Sequence, residues 1–194
     1  PSAWRLLNGD ALEAIPARLA RARGNATARA LAGADWLLRR KADGRFLAVR
    51  RGDSLQPLQR GALSPRMDRE LQELVQADLD GEAPRPLRGL LHRLHELGLD
   101  EQEYARDTGL ELVPEPSTLA FAGFDRYRRP LWLRGEPAQA WCAMRAAALR
   151  EGLVLEAISG YRSHDYQLGI FRRKLARGQT VAEILRVNAA PGFS

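Results

Sequence analysis

The chain has 194 residues, 45% of them hydrophobic and 28% charged, with a net charge of +6. That balance excludes a disordered chain, no apolar run reaches the ~18–20 residues of a membrane helix, and the single cysteine, Cys142, excludes an internal disulfide or a multi-cysteine zinc site. The charge is unevenly spread: residues 1–60 carry +7, residues 61–113 carry −6 and residues 114–194 carry +5. An acidic middle between basic flanks is a poor stripe for a nucleic-acid duplex, and no nucleic-acid motif accompanies it. A basic surface suits an anionic cell-wall polymer as well. The start Pro1-Ser2-Ala3-Trp4 has no signal-peptide pattern, so an upstream segment is expected to have been removed or omitted.

In chain order, Leu12, Ile15 and Leu19 keep a helical spacing, with Pro16 as a kink or a start. Residues 26–40 form a second predicted helix with Leu31, Trp36, Leu37 and Leu38 as its apolar content. Asp43-Gly44 predicts a turn, and Phe46 to Val49 a short strand. Ser64-Pro65 opens a helix whose Leu71, Leu74 and Val75 share one face. Gly81 to Pro86 is a linker, after which Leu87, Leu90, Leu91, Leu94 and Leu97 recur at helical spacing until Gly98.

Two prolines and a change of charge place a boundary at Val113-Pro114-Glu115-Pro116. Leu119 to Phe124 and Pro130 to Leu133 read as paired extended segments. Residues 138–150 read as a helix ended by Gly152, with Trp141, Met144 and Leu149 as its apolar residues. Leu153 to Ile158 reads as a strand. Ser163 caps a helix through Leu175 with Tyr166, Ile170 and Phe171 facing inward, and Thr180-Val181-Ala182-Glu183 opens a short helix with a capping box. The expected fold class is α+β: a mainly helical domain over residues 1–113, then residues 114–194 as the first part of an α+β domain with an antiparallel sheet.

His92 and His95, at i and i+3, are close enough to share a metal, but a pair of partly exposed histidines beside a packed stripe accounts for them more simply. Cys142, in an alanine-rich helix, reads as a small core residue. Arg126, Arg128 and Arg129 around Tyr127 fit a solvated turn better than a phosphate grip. Ser159-Gly160-Tyr161-Arg162-Ser163-His164 joins a predicted strand to a helix, so its side chains project at a sheet edge. Arg162 there is suited to holding a carboxylate or a developing oxyanion, and equally to a structural role. His164 would serve as a base only with an orienting partner, and the sequence shows none.

The segments Ile158-Ser-Gly-Tyr-Arg-Ser163, Gln167, Ile170-Phe171, Lys174, Gly178 and Asn188-Ala-Ala-Pro-Gly-Phe-Ser194 resemble the VanY-type D-alanyl-D-alanine carboxypeptidases. The resemblance reaches back through Arg129-Pro130-Leu131 and Gly123-Phe124-Asp125 to about Leu119, and residues 1–110 take no part in it. It implies a zinc peptidase of the bacterial periplasm or cell envelope. Such an enzyme cuts peptidoglycan stem peptides that end in D-Ala-D-Ala. By the same resemblance, Arg162 contacts substrate and stabilises the transition state, while Ser163, Gln167 and Ser194 fall at substrate-binding positions. In the family, Pro-Gly-Phe-Ser runs on into a motif that carries the first two zinc ligands, with the general-base glutamate and the third ligand later still. The zinc ligands are therefore expected beyond Ser194, with one zinc per full-length protein and none held by residues 1–194 alone. The other readings open at this point are a cell-wall-binding module without catalysis and a basic nucleic-acid-binding protein.

Overall fold

A computed structural model describes residues 4–58, 65–66, 69–70, 72–74 and 89–194. Seven strands among them make one antiparallel sheet: β1 (Arg5–Asn8), β2 (Leu12–Pro16), β3 (Trp36–Arg40), β4 (Phe46–Arg51), β5 (Ser54–Pro57), β6 (Thr118–Phe124) and β7 (Pro130–Leu133), in the order β5-β4-β3-β2-β1-β6-β7. The helices with full bounds are α1 (Asn25–Leu31), α2 (Leu90–Glu96), α3 (Glu101–Thr108), α4 (Gly135–Arg150), α5 (His164–Leu175) and α6 (Val181–Leu185). No helix among the described residues is long and apolar enough to cross a membrane. The mixture confirms the α+β class, but its distribution corrects the helical reading of the first 60 residues.

Residues 12–16 are a strand, not a helix. All five are buried between β1 and β3, so the apolar spacing reflects a strand covered on both faces, which carries no alternation. The second predicted helix stops at Leu31, because Gly33 takes a left-handed φ of 77° and turns the chain out. Trp36-Leu37-Leu38 then continues as β3, where Glu13 and Arg39 face each other across the ladder and bond at 2.6 Å. The Asp43-Gly44 turn and the strand after it are present. Ser64, Leu71, Val75, the linker and Leu87 lie outside the described residues. Leu74 is buried against Leu7, Leu12 and Leu38.

Two compact units interleave along the chain. One comprises residues 1–40, 44–83 and 116–161, and the other residues 41–43, 84–115 and 162–194. The predicted boundary coincides with one crossing, between Glu115 and Pro116, yet strands from both sides of it share the sheet through the pairing of Leu6 with Leu119. The first unit has its core in Leu6, Ile15, Leu37, Val49, Leu119 and Trp132, with α4 laid on β6 and β7 through Ala138 and Trp141. The second packs Leu90 and Leu94 of α2 against Leu168, Ala190 and Phe193.

The expected β6–β7 pair and the helix ending near Gly152 are found. Leu153 to Ile158 is not a strand. Among the described residues it forms no ladder, and Leu153, Val154 and Ile158 are exposed. Two carbonyls, of Ala157 and Ile158, accept single bonds from Arg126 and Arg129, too few to make a sheet. Cys142 is exposed rather than in the core, since α4 buries little beyond Ala138.

Candidate functional site

The Ser-Gly-Tyr-Arg-Ser segment changes units in its middle: Tyr161 ends the first and Arg162 begins the second. In the first unit the backbone runs tight against β7. A Cβ on Gly160 would sit 2.6 Å from the Trp132 carbonyl oxygen, so only glycine fits there. The Tyr161 amide donates to that same carbonyl at 2.8 Å, and Asn8 Nδ2 donates to the Tyr161 hydroxyl at 2.9 Å. In the β6–β7 turn, buried Asp125 accepts bonds from the Tyr127 and Arg129 amides and pairs with the Arg129 guanidinium. Burial opposes ionisation of Asp125, but the bonds from Arg129 and Tyr127 outweigh it and hold the carboxyl below its ordinary range. The arginines about Tyr127 are thus a built turn.

In the second unit, α5 begins as the sequence predicts. Ser163 is its cap, its hydroxyl accepting from the Tyr166 amide at 3.1 Å, and it is buried. Ser163 is not among the residues that line the cleft described below. Tyr166 faces out, 42% exposed, while Gln167, Leu168 and Phe171 face in. Gln167 uses both ends of its amide. Nε2 donates to the Arg162 carbonyl at 2.8 Å, and Oε1 accepts from the Gly192 amide at 3.0 Å. Gly192 has a φ of 89° and no room for a Cβ beside Leu90 and Leu112, so the Pro-Gly-Phe-Ser turn also needs its glycine. The α6 capping box is formed, with the Thr180 hydroxyl and the Glu183 carboxylate bonding each other's backbone amides.

These elements enclose a cleft of about 200 Å³ lined by Arg162, Gln167, Ile170, Phe171, Val187, Asn188, Ala189 and Ser194. Three of the four expected site residues, Arg162, Gln167 and Ser194, meet there. Lys174 holds the far wall by donating to Asn188 Oδ1 at 2.6 Å. The lining offers one guanidinium, two amides and a hydroxyl over an apolar floor. Such a set can receive an anion or a carbonyl oxygen through Arg162, and the nitrogen of the Asn188 amide can donate to a peptide, whereas both ends of the Gln167 amide are engaged within the fold.

Among the described residues, no imidazole, thiol or side-chain carboxylate lines the cleft, so the side chains there do not fit a zinc ion. His95, Asp100 and Glu101 can bring ligand atoms within 4.8 Å of one another. His95 lies in the last turn of α2, and Asp100 and Glu101 at the start of α3, where Asp100 is already the cap, accepting from the Gln102 and Glu103 amides. His92 pairs instead with Glu96 at 3.4 Å.

Sequence reasoning missed what holds His164. Its ring Nε2 lies 2.9 Å from the Val113 carbonyl oxygen, and its backbone amide donates to Glu115 Oε1 at 2.5 Å. The other oxygen of Glu115 accepts from Lys41. Burial pushes the His164 pKa below its ordinary 6.5, against the pull of the Glu115 carboxylate. Nothing near Glu115 in sequence marks a partner 49 residues away.

Residues 130–194 match the family model of VanY, D-alanyl-D-alanine carboxypeptidase, which bears out the resemblance over that stretch, about a third of the chain. No curated protein and no solved structure matches the chain. At the level of the family, the match marks residues 130–194 as carboxypeptidase-like.

Proposed function

We propose that the cleft around Arg162 receives the D-Ala-D-Ala end of a peptidoglycan stem peptide, as the substrate-binding part of a D-alanyl-D-alanine carboxypeptidase of the bacterial envelope. The observation that supports this best is the coincidence of two independent features. The family match spans residues 130–194, and the exposed Arg162 of its Ser-Gly-Tyr-Arg-Ser segment lines a cleft built from the same stretch. The volume, about 200 Å³, is below the ~300 Å³ at which sites for drug-sized ligands begin. It suits the end of a chain with small side chains.

Arg162 stays charged at every physiological pH, and its planar fork matches a carboxylate with two parallel bonds. With a peptide seated, it meets either the terminal carboxylate or the oxygen of the scissile carbonyl as negative charge develops there. The Asn188 side-chain amide lies in the lining, where it can orient the peptide, and Phe171 and Ile170 exclude water beneath it. Zinc is the cofactor the family implies. It would need ligands other than the side chains of this cleft, and none of the binding roles above depends on it.

Calorimetric titration separates this reading from nucleic-acid binding. Acetylated Lys-D-Ala-D-Ala should bind, with its L-Ala-L-Ala isomer and a DNA duplex at least about tenfold weaker. Arg162→Ala should lose about 1.5–3 kcal/mol of peptide affinity, the range for a hydrogen bond to a charged group. Equal affinity for both isomers, or tighter binding of DNA, would reject the assignment.

A further inference from the structure

The first turn of α5 is held by more charged chemistry than helix capping requires. Glu115 and Lys41 are both buried, at 8% and 5% exposure, and they pair with each other across 74 residues of chain. Well-packed apolar residues in place of such a pair are commonly neutral or stabilising, so its presence calls for an explanation other than stability. Glu115 Oε1 occupies the position at which an anion would dock on the start of a helix, accepting the His164 amide at 2.5 Å. In the same turn, Arg93 of α2 bonds the Asp165 carboxylate, and Ser163 caps its own helix. The residue before that cap is Arg162, whose carbonyl is fixed by Gln167 at 2.8 Å. Residues 162, 163, 164 and 165 are therefore each tied down in turn, by partners from α2, the Val113–Glu115 segment and α5 itself. Of these four residues, Arg162 is the one that lines the cleft.

From this we infer that Glu115 is a positioning residue: its carboxylate, oriented by Lys41, fixes the start of α5 so that Arg162 presents its guanidinium to the cleft in one orientation. The Glu115 carboxylate also fills the helix N-terminus from within. An incoming anion must then be met by the arginine fork and not by the backbone amides of α5. The peptide-affinity part of this inference rests on the proposed function; the geometric part does not.

The test is nuclear magnetic resonance on the whole 194-residue chain with Glu115→Ala, Glu115→Gln and, as a control of comparable instability, Leu97→Ala. Glutamine keeps an acceptor for the His164 amide. Amide exchange at His164 should accelerate by at least about tenfold in Glu115→Ala and stay near wild type in Glu115→Gln. The Arg162 Nε–Hε signal should lose its distinct position in the alanine variant but not in Leu97→Ala. Should the alanine variant fail to fold, the charge effect is read from Glu115→Gln, whose Arg162 signal should shift as the tie to Lys41 weakens. An Arg162 signal unchanged in both Glu115 variants, or equally disturbed in Leu97→Ala, overturns the inference. Titration with acetylated Lys-D-Ala-D-Ala then separates the two claims. If wild type binds no peptide, the proposed function falls and the Arg162 signal still decides the role of Glu115. If wild type binds and Glu115→Ala binds equally well, the positioning role falls and the proposed function stands.

Discussion

The sheet of β1–β7 and the cleft unit built on α2 and α5 both combine apolar burial with buried polar groups, and differ in where the polar groups sit. In the sheet, Leu6, Leu12 and Leu37 are fully buried, and the stabilisation comes from apolar area removed from water, at about 25 cal/mol per Å². The cleft unit has an apolar cluster too, around Leu90, Leu94 and Phe193, and it also buries Glu115, Lys41, Ser163 and the lining residue Gln167. Apolar contacts are tolerant of direction, whereas hydrogen bonds fix angles and partners. The sheet unit buries polar groups as well, among them Asn8, Glu13 and Asp125, but these bond within the scaffold, whereas Glu115, Ser163 and Gln167 of the cleft unit bond around the first turn of α5, beside Arg162.

The largest effect should come from breaking the undirected side. Leu37→Ala removes a fully buried side chain from the centre of the sheet and should cost about 2–5 kcal/mol of stability by urea denaturation. A loss under about 1 kcal/mol would mean that the site collapses around the gap and that the sheet is less closely packed than described.

On the directional side, Ser163→Ala should cost about 1 kcal/mol, the worth of a helix cap, and should leave peptide affinity close to wild type. Affinity that falls while stability holds would return Ser163 to the substrate contacts. His164 gives a smaller, pH-dependent signal. Its pKa lies below 6.5 in the fold because it is buried, so between that value and 6.5 the unfolded chain binds more protons. Stability should then decrease as the pH falls below about 6.5 and be fully regained above it. Thermal melts of wild type and His164→Gln between pH 5 and 8 check the sign: the variant should show the shallower slope. A wild type that gains stability on acidification through this range would contradict the neutral, buried imidazole.

Legibility in the sequence follows the same divide. Local signals were readable: the Ser163 cap, the Thr180 capping box, Gly98 and Gly152 at helix ends, and the β6–β7 pair all depend on residues a few positions apart. The first 60 residues were misread because a strand buried on both faces shows an apolar run without alternation, which spacing alone does not distinguish from helix. Residues 153–158 have the composition of a strand, but a strand exists only where a neighbour supplies the ladder. For the site, the family motif brought Arg162, Gln167 and Ser194 to one cleft, whereas Lys41, Val113 and Glu115 carry no pattern that points to His164. A buried ion pair between residues 41 and 115 is a fact of tertiary structure alone.

The central claim is that the Arg162 cleft receives a D-Ala-D-Ala end, and chemical-shift mapping of the whole chain with acetylated Lys-D-Ala-D-Ala tests it most directly. The account predicts the largest perturbations at the Arg162 guanidinium, the Asn188 side-chain amide and Ser194, and their disappearance in Arg162→Ala. Perturbations centred on the β1–β7 sheet, or identical maps for wild type and Arg162→Ala, would contradict it.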